Sequence, residues 1–370
     1  DEINLCIWGN GNPNGGDPRK VCTRQFSKQI VWLCQKKPMS AVGIAEELHV
    51  PTVYVEDELE ILSKGEDGRY GLLRRMENGL YAINFVLFDR KTMEEVADIY
   101  REYLPGIGKT IADYFEAHKE EYLASPYLNR KADLNLVLWQ QTEAVCNELR
   151  ILVQTILSEK YFGHIEESKR PFTVYGYDAS EGYFEGSSVN GAYGKNICGY
   201  SEVYCCNIAN RWIRGRFDCG LNVAQDSQIQ LALRAVDGLD ISSLSEAEKE
   251  HAAKAVENGY LYREGEKLYT RILVCKLKDG VDSYRRSVFY DATNRLFEGG
   301  FDKEASKVAE RIADLLHKNI PQHLLGDYRE AAFLVSLQMP DQLLGSLVEQ
   351  GVLAPPKDGM GAEGCWIFVS

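Results

Sequence analysis

Long apolar runs are missing from this 370-residue chain; none approaches the roughly 18–20 residues that a membrane-spanning helix requires. The start, Asp1-Glu2-Ile3, is acidic, so it lacks the basic segment followed by an apolar one that marks a secretory signal. Opening on Asp instead of Met is what a processed product or an excised piece would show. Histidine is scarce, six in all, and no two stand at metal-ligand spacing. Ten cysteines are present but scattered. No Cys-x-x-Cys knuckle occurs even where Cys198, Cys205, Cys206 and Cys219 crowd together, and adjacent Cys205 and Cys206 would point to opposite faces of a strand. Reduced structural thiols in a cytoplasmic protein are the expectation. Neither a Gly-x-Ser-x-Gly elbow nor a glycine-rich dinucleotide loop after a strand is found. Without a complete catalytic constellation, no enzymatic activity, metal or cofactor is expected.

Excess positive charge is missing too. With 42 Lys and Arg against 55 Asp and Glu, the net charge is −13, which excludes a general polyanion binder. Any nucleic-acid contact must be local. The remaining composition, 45% hydrophobic and 26% charged, is that of a globular chain able to bury cores in two or three domains.

Residues 1–18 read as an exposed leader around the turn formers Gly9 to Gly16. Then the pattern becomes helical, with Val21, Phe26, Ile30, Val31, Leu33 and Cys34 on one face until Lys37-Pro38. Ser40 is expected to cap a short helix through Leu48. His49-Val50-Pro51 forms a tight turn, and Pro51 opens a third helix over 52–64 that buries Val55, Leu59 and Leu62. Asn78-Gly79 between Leu72-Leu73 and the run Tyr81 to Phe88 predicts a hairpin.

Within this stretch, Ile44-Ala45, Leu48, Val50, Val55, Leu59 and Leu62 have the spacing "IA..L.V....V...L..L", and residues 19–90 resemble a winged helix-turn-helix domain of bacterial transcription regulators. Small Ala45 lets the second helix approach the third, and the larger apolar groups fill the space between them. The resemblance implies a DNA-binding transcriptional regulator that reads double-stranded DNA with helix 52–64. Thr52, Val53 and Tyr54 would then meet the bases, while Lys64, Arg69, Arg74 and Arg75 would meet the flanking phosphates. His49 reads as a strained structural residue of the turn. The outward Glu56, Asp57 and Glu60 sit badly in that picture, because carboxylates repel phosphates and match only a cytosine amino group. An alternative therefore stays open: a protein-interaction or ligand-sensing module of the transcription machinery that uses this domain for docking. Proteins of this look also occur as long extensions of sigma-factor-like polypeptides, by analogy only.

Residues 91–165 read as a helical connector, helical over 92–123 and 131–160. In the second stretch Leu138, Val145 and Leu152 share one heptad position and Leu149 and Ile156 another, a spine that could also form a homodimer. Gly108-Lys109-Thr110 ends like a P-loop, but Tyr103 stands where its first glycine belongs. A phosphate-binding helix-hairpin-helix fits Gly106-Ile107-Gly108 better, and a plain corner between two helices fits best. Residues 166–225 read as a β-rich segment, since 171–224 holds eight glycines and ten aromatics. Its aromatics could line a small-molecule pocket, and its basic cluster Arg211 to Arg216 suits an exposed sheet face with ion pairs.

Residues 226–370 read as a C-terminal α/β domain of degenerate winged-helix character. A capping box at Ser245-Glu246-Ala247-Glu248 opens a helix there. "VExGxL" occurs at Val256 to Leu261 and again at Val348 to Leu353, before Trp366 to Val369. The fold class expected for the whole chain is α+β, with no membrane contact.

Overall fold

The computed structural model describes residues 3–10, 16–66, 68, 70–124, 126–168, 170, 172–180, 188–213, 223–281, 288–298, 301–359 and 361–370. In chain order its main elements are β1 (Leu5–Asn10), α1 (Gln25–Lys36), α2 (Ala41–Leu48), α3 (Thr52–Lys64), β2 (Leu73–Arg75), β3 (Tyr81–Ile83), β4 (Val86–Phe88), α4 (Arg90–Leu123), α5 (Leu134–Ile156) and β5 (Thr173–Asp178). There follow β6 (Ser188–Ile197), β7 (Tyr200–Ala209), α6 (Ser227–Arg234), β8 (Leu239–Asp240), α7 (Glu246–Glu257), β9 (Leu261–Glu264), β10 (Lys267–Thr270), β11 (Leu273–Lys276), α8 (Val288–Glu298), α9 (Asp302–Asn319), α10 (Tyr328–Ser336), α11 (Met339–Glu349) and β12 (Cys365–Val369). The fold is α+β with small sheets. Residues 1–99, 153–184 and 306–336 form one compact unit, and 100–152, 185–305 and 337–370 form a second. The expected linear succession of segments thus gives way to an interleaved one, because α4, α5 and α9 each carry the chain from one unit into the other.

In the first unit, the expected leader holds a strand. β1 pairs antiparallel with β5, from Leu5 opposite Asp178 to Asn10 opposite Thr173, and β4 lies parallel on the other side of β5. Rings fix β1 on its neighbour, with Trp8 edge-on to Tyr175 and Tyr177 at centroid distances of 6.4 and 5.8 Å. α2 and α3 keep the expected bounds, whereas the helix expected from Pro18 onward begins only at Gln25, after a 3-10 turn over Pro18–Val21. Ser40 Oγ accepts from the Gly43 N–H at 3.1 Å, and His49 ends α2 in the left-handed region at φ 54°. Val55, Leu59 and Leu62 are fully buried. Glu58 is buried beside them, its carboxylate bonded by the Ser27 hydroxyl and the Arg24 guanidinium. The β2–β3 hairpin turns through Gly79 at φ 78°. Met39 extends it by exchanging backbone hydrogen bonds of 2.9 and 2.7 Å with Tyr81, so the strand order is Met39, β3, β2.

Close backbone approach behind α3 needs Gly71, where an added methyl carbon would lie 1.9 Å from the Leu62 carbonyl oxygen. Replacing Gly71 by Ala is therefore expected to cost about 3 kcal/mol through a forced backbone shift. Chemical denaturation measures this directly, and an unchanged midpoint and slope would contradict the packing described.

In the second unit, a four-stranded sheet has the order β11-β12-β7-β6. β12 is buried along its whole length, parallel to β11 and antiparallel to β7. The strand expected to close a third helix-and-hairpin copy is thus an inner member of this sheet, and Val352-Leu353 belongs to no strand. The β-rich segment 166–225 forms no sheet of its own, since β5 belongs to the first unit while β6 and β7 belong here. Composition marks residues as strand-prone without naming their partners.

A three-stranded sheet in the same unit has the order β8-β10-β9 behind α6 and α7, matching the order Met39, β3, β2. A 3-10 turn, Ile241–Ser243, stands between β8 and α7, in the place that α2 takes in the first unit. The capping box is complete: the Glu248 N–H donates to Ser245 Oγ at 3.3 Å, and the Ser245 N–H donates to Glu248 Oε2 at 2.8 Å. Arg234 and these bonds hold the Glu248 carboxyl down at about 2.

α4 runs unbroken through Leu104 to Gly108, so neither a helix corner nor a phosphate-binding hairpin exists there. Gly108 instead permits close packing, for a methyl carbon would lie 2.7 Å from Ser346 Oγ of α11. On α5, Leu138, Val145 and Leu149 are buried within the chain, which removes the centre of that seam as a homodimer face. Contrary to the expectation that no run approaches spanning length, one helical stretch among the described residues, Gln322–Glu349, is apolar and long enough to cross a membrane by composition, and it is mostly buried inside the protein.

Candidate nucleic-acid interface

Core packing decides which side of α3 meets solvent. With Val55, Leu59 and Leu62 inward, the first turn presents Thr52 half-buried and Val53 and Tyr54 at 56% and 61% exposure. Pro51 supplies no side-chain cap to the first turn, and the Tyr54 N–H donates to the Pro51 carbonyl at 3.1 Å. Further along, Glu56, Asp57, Glu60 and Ile61 are exposed. Lys64 is exposed but paired with Glu60 one turn earlier, which draws the Glu60 carboxyl below its ordinary value. Its charge is therefore largely spent within the helix.

Arg74 and Arg75 stand exposed on β2, which packs against α3, and no ion pair engages either among the described residues. Arg69 lies outside the described residues. Three further cations of this unit stand in ion pairs, Arg19 with Asp17, Lys20 with Glu66 at 3.3 Å, and Arg24 with Glu58. Of the residues expected to touch a ligand, Thr52, Val53 and Tyr54 share one helical turn, and Arg74 and Arg75 share the adjacent strand.

Val42 on α2, which the sequence places inward with Ile44, Ala45 and Leu48, is exposed instead, and Ile61 on α3 is an exposed group that the sequence reading missed. Together with Val53 and Tyr54 they make four of the eight large apolar side chains exposed among the described residues, a concentration that sets this surface apart. A helical wheel drawn on Ile44 and Ala45 would have turned Val42 outward.

Other sequence candidates are placed as follows. Arg211 to Ile213 lie beyond the end of β7 on no strand, so the expected exposed sheet face is not formed there; Arg211 pairs with buried Asp341 at 3.4 Å and lies 4.1 Å above the Trp212 ring, and Arg214 and Arg216 fall outside the described residues. Cys219 falls outside them as well. The nine described cysteines are free, and burial pushes Cys22, Cys34 and Cys275 up to about 12, far from reactive thiolates. Cys205 Sγ lies 3.7 Å from Cys365 Sγ on a neighbouring strand. No family model matches the chain, and no curated protein or solved structure shows significant similarity to it.

Proposed function

We propose that the chain is a DNA-binding transcriptional regulator of bacterial type, acting in the cytoplasm, with a winged helix-turn-helix in its first unit. The observation that carries this reading is the strand order Met39, β3, β2 packed behind three helices, with α2 and α3 joined by a left-handed residue. In such domains the start of the second helix of the pair enters the major groove. Here that start is Thr52, Val53 and Tyr54, the stretch of the exposed α3 face that lacks carboxylates. Val53 and Tyr54 would make apolar contact with thymine methyl groups, and Arg74 and Arg75 on the wing would hold phosphates. The α6-to-β10 region is read as a degenerate copy, with a 3-10 turn in place of its second helix.

With Arg69, Arg74 and Arg75 as wing cations, duplex binding should follow a log–log salt slope of roughly −3 per copy. Changing both Arg74 and Arg75 to Ala should weaken binding to every sequence and flatten that slope. Tyr54→Ala should instead change the preference among sequences. Fluorescence titration of random and defined duplexes over a salt series checks all three outcomes, and absence of binding at low salt would remove the reading.

A second reading has its own observation. Exposed Glu56, Asp57 and Glu60 surround the apolar Val53, Tyr54 and Ile61, a surface that also suits a basic, apolar segment of a transcription-machinery protein. Under that reading no duplex binds above background at any salt.

A further inference from the structure

In the first unit, β1 and β5 face α10 and the turn Pro18–Val21 across an open cavity of about 630 Å³. Three of the side chains around it are aromatic. The Trp8 and Tyr175 centroids lie 6.4 Å apart at 74°, and those of Tyr175 and Phe333 lie 5.5 Å apart at 64°. Four charged side chains, those of Arg19, Glu167, Arg329 and Glu330, reach the same space, and three of them are already matched. Arg19 Nε donates to both Asp17 oxygens at 2.8 and 2.9 Å, while Arg329 meets Glu167 at 2.7 Å and the Tyr328 hydroxyl at 3.3 Å.

Glu330 differs. Its partner Arg170 lies 3.9 Å away and is held more closely by Asp327, at 2.9 Å. Among the described residues, the three arginines Arg19, Arg170 and Arg329 stand against four carboxyl groups, those of Asp17, Glu167, Asp327 and Glu330, and Glu330 is the surplus acid, its nearest cation 3.9 Å away. Burial pushes the Glu330 carboxyl up, and neighbouring Asp327 adds to this. An anion would be repelled by the surplus, and a neutral ligand would leave it unrelieved. A cation relieves it and is attracted to ring faces as well.

We propose that this cavity binds a small organic ammonium ion, its charge at Glu330 and its apolar body against Trp8, Tyr175 and Phe333. The test is calorimetric titration of the full chain, at physiological salt, with choline and with phenethylamine. Inorganic phosphate serves as the anionic control. One ammonium probe should bind with one-to-one stoichiometry and a Kd at or below about 1 mM. Glu330→Gln keeps the shape and removes the charge, and Phe333→Leu removes a ring; each should weaken binding by about tenfold or more. Either variant decides the matter if the other does not fold. The proposal is overturned if neither ammonium probe binds, if phosphate binds in their place, or if the folded variants bind as tightly as the parent. No cavity residue lies on α3 or the β2–β3 hairpin, so this result and the DNA titration can fail independently.

Discussion

Leu149→Asp is expected to abolish cooperative folding of the unit that contains it. Leu149 is 1% exposed near the middle of α5, with Val145 and Cys146 on the preceding turn fully buried. Truncating a buried Leu costs about 3–5 kcal/mol, and a carboxylate left there without a partner adds several more. Together these consume most of the roughly 5–15 kcal/mol that holds a domain folded. Leu149→Met conserves volume and should cost less than about 1.5 kcal/mol. Urea denaturation with far-ultraviolet circular dichroism reads both. A Leu149→Asp protein with the parent's midpoint would mean that α5 is solvent-exposed, against the packing found here.

The second large effect is one of pH. Glu143, also on α5, is buried, and loss of water pushes its carboxyl up to about 7, with Arg150 drawing it partly back. Its folded-state value therefore exceeds the ordinary 4.5. Between those two values the folded protein keeps a proton that the unfolded chain releases. Stability from this group is present in full below about pH 4.5 and is lost as pH rises to about 7. The total loss is about 3 kcal/mol. Glu143→Gln removes this dependence and should raise the melting temperature at pH 8 by several degrees while changing little at pH 4.5. Asp327, Glu330 and Glu363 are also pushed up by burial, so the informative quantity is the difference between variant and parent across pH. Parallel profiles would show that Glu143 is solvated.

Short-range signals carried much of the first unit and one helix start of the second. Ser40 as cap, Pro51 at the start of α3, Asn78-Gly79 in the hairpin and the Ser245–Glu248 capping box are each set by neighbours within a few residues, and each stands where the sequence implies. Longer range defeated the reading. Six residues of β1 pair with a strand that begins at Thr173, and nothing near Leu5 names that partner. Gly106-Ile107-Gly108 has the composition of a break, yet α4 continues through it, and at Gly108 packing on Ser346 accounts for the glycine. Glu58 lies on the buried side of α3 because Ser27 and Arg24, on or beside α1, bond it, a partnership invisible within α3 alone. At the candidate interface, the exposure of Thr52, Val53, Tyr54, Arg74 and Arg75 followed from which residues face the core. The Glu60–Lys64 pair, four residues apart on one helix, was open to the same reasoning.

Those acids on α3 make the central claim testable by a single charge reversal. If the α3 face lies in the major groove, Glu56 stands against phosphates and weakens every complex it enters. Glu56→Lys removes a repulsion and adds an attraction, and duplex affinity at low salt should rise by about tenfold, with a slope steeper by about one. Fluorescence anisotropy with a labelled duplex measures both quantities. An affinity that stays the same or falls, with the variant fully folded, would contradict DNA binding through this face.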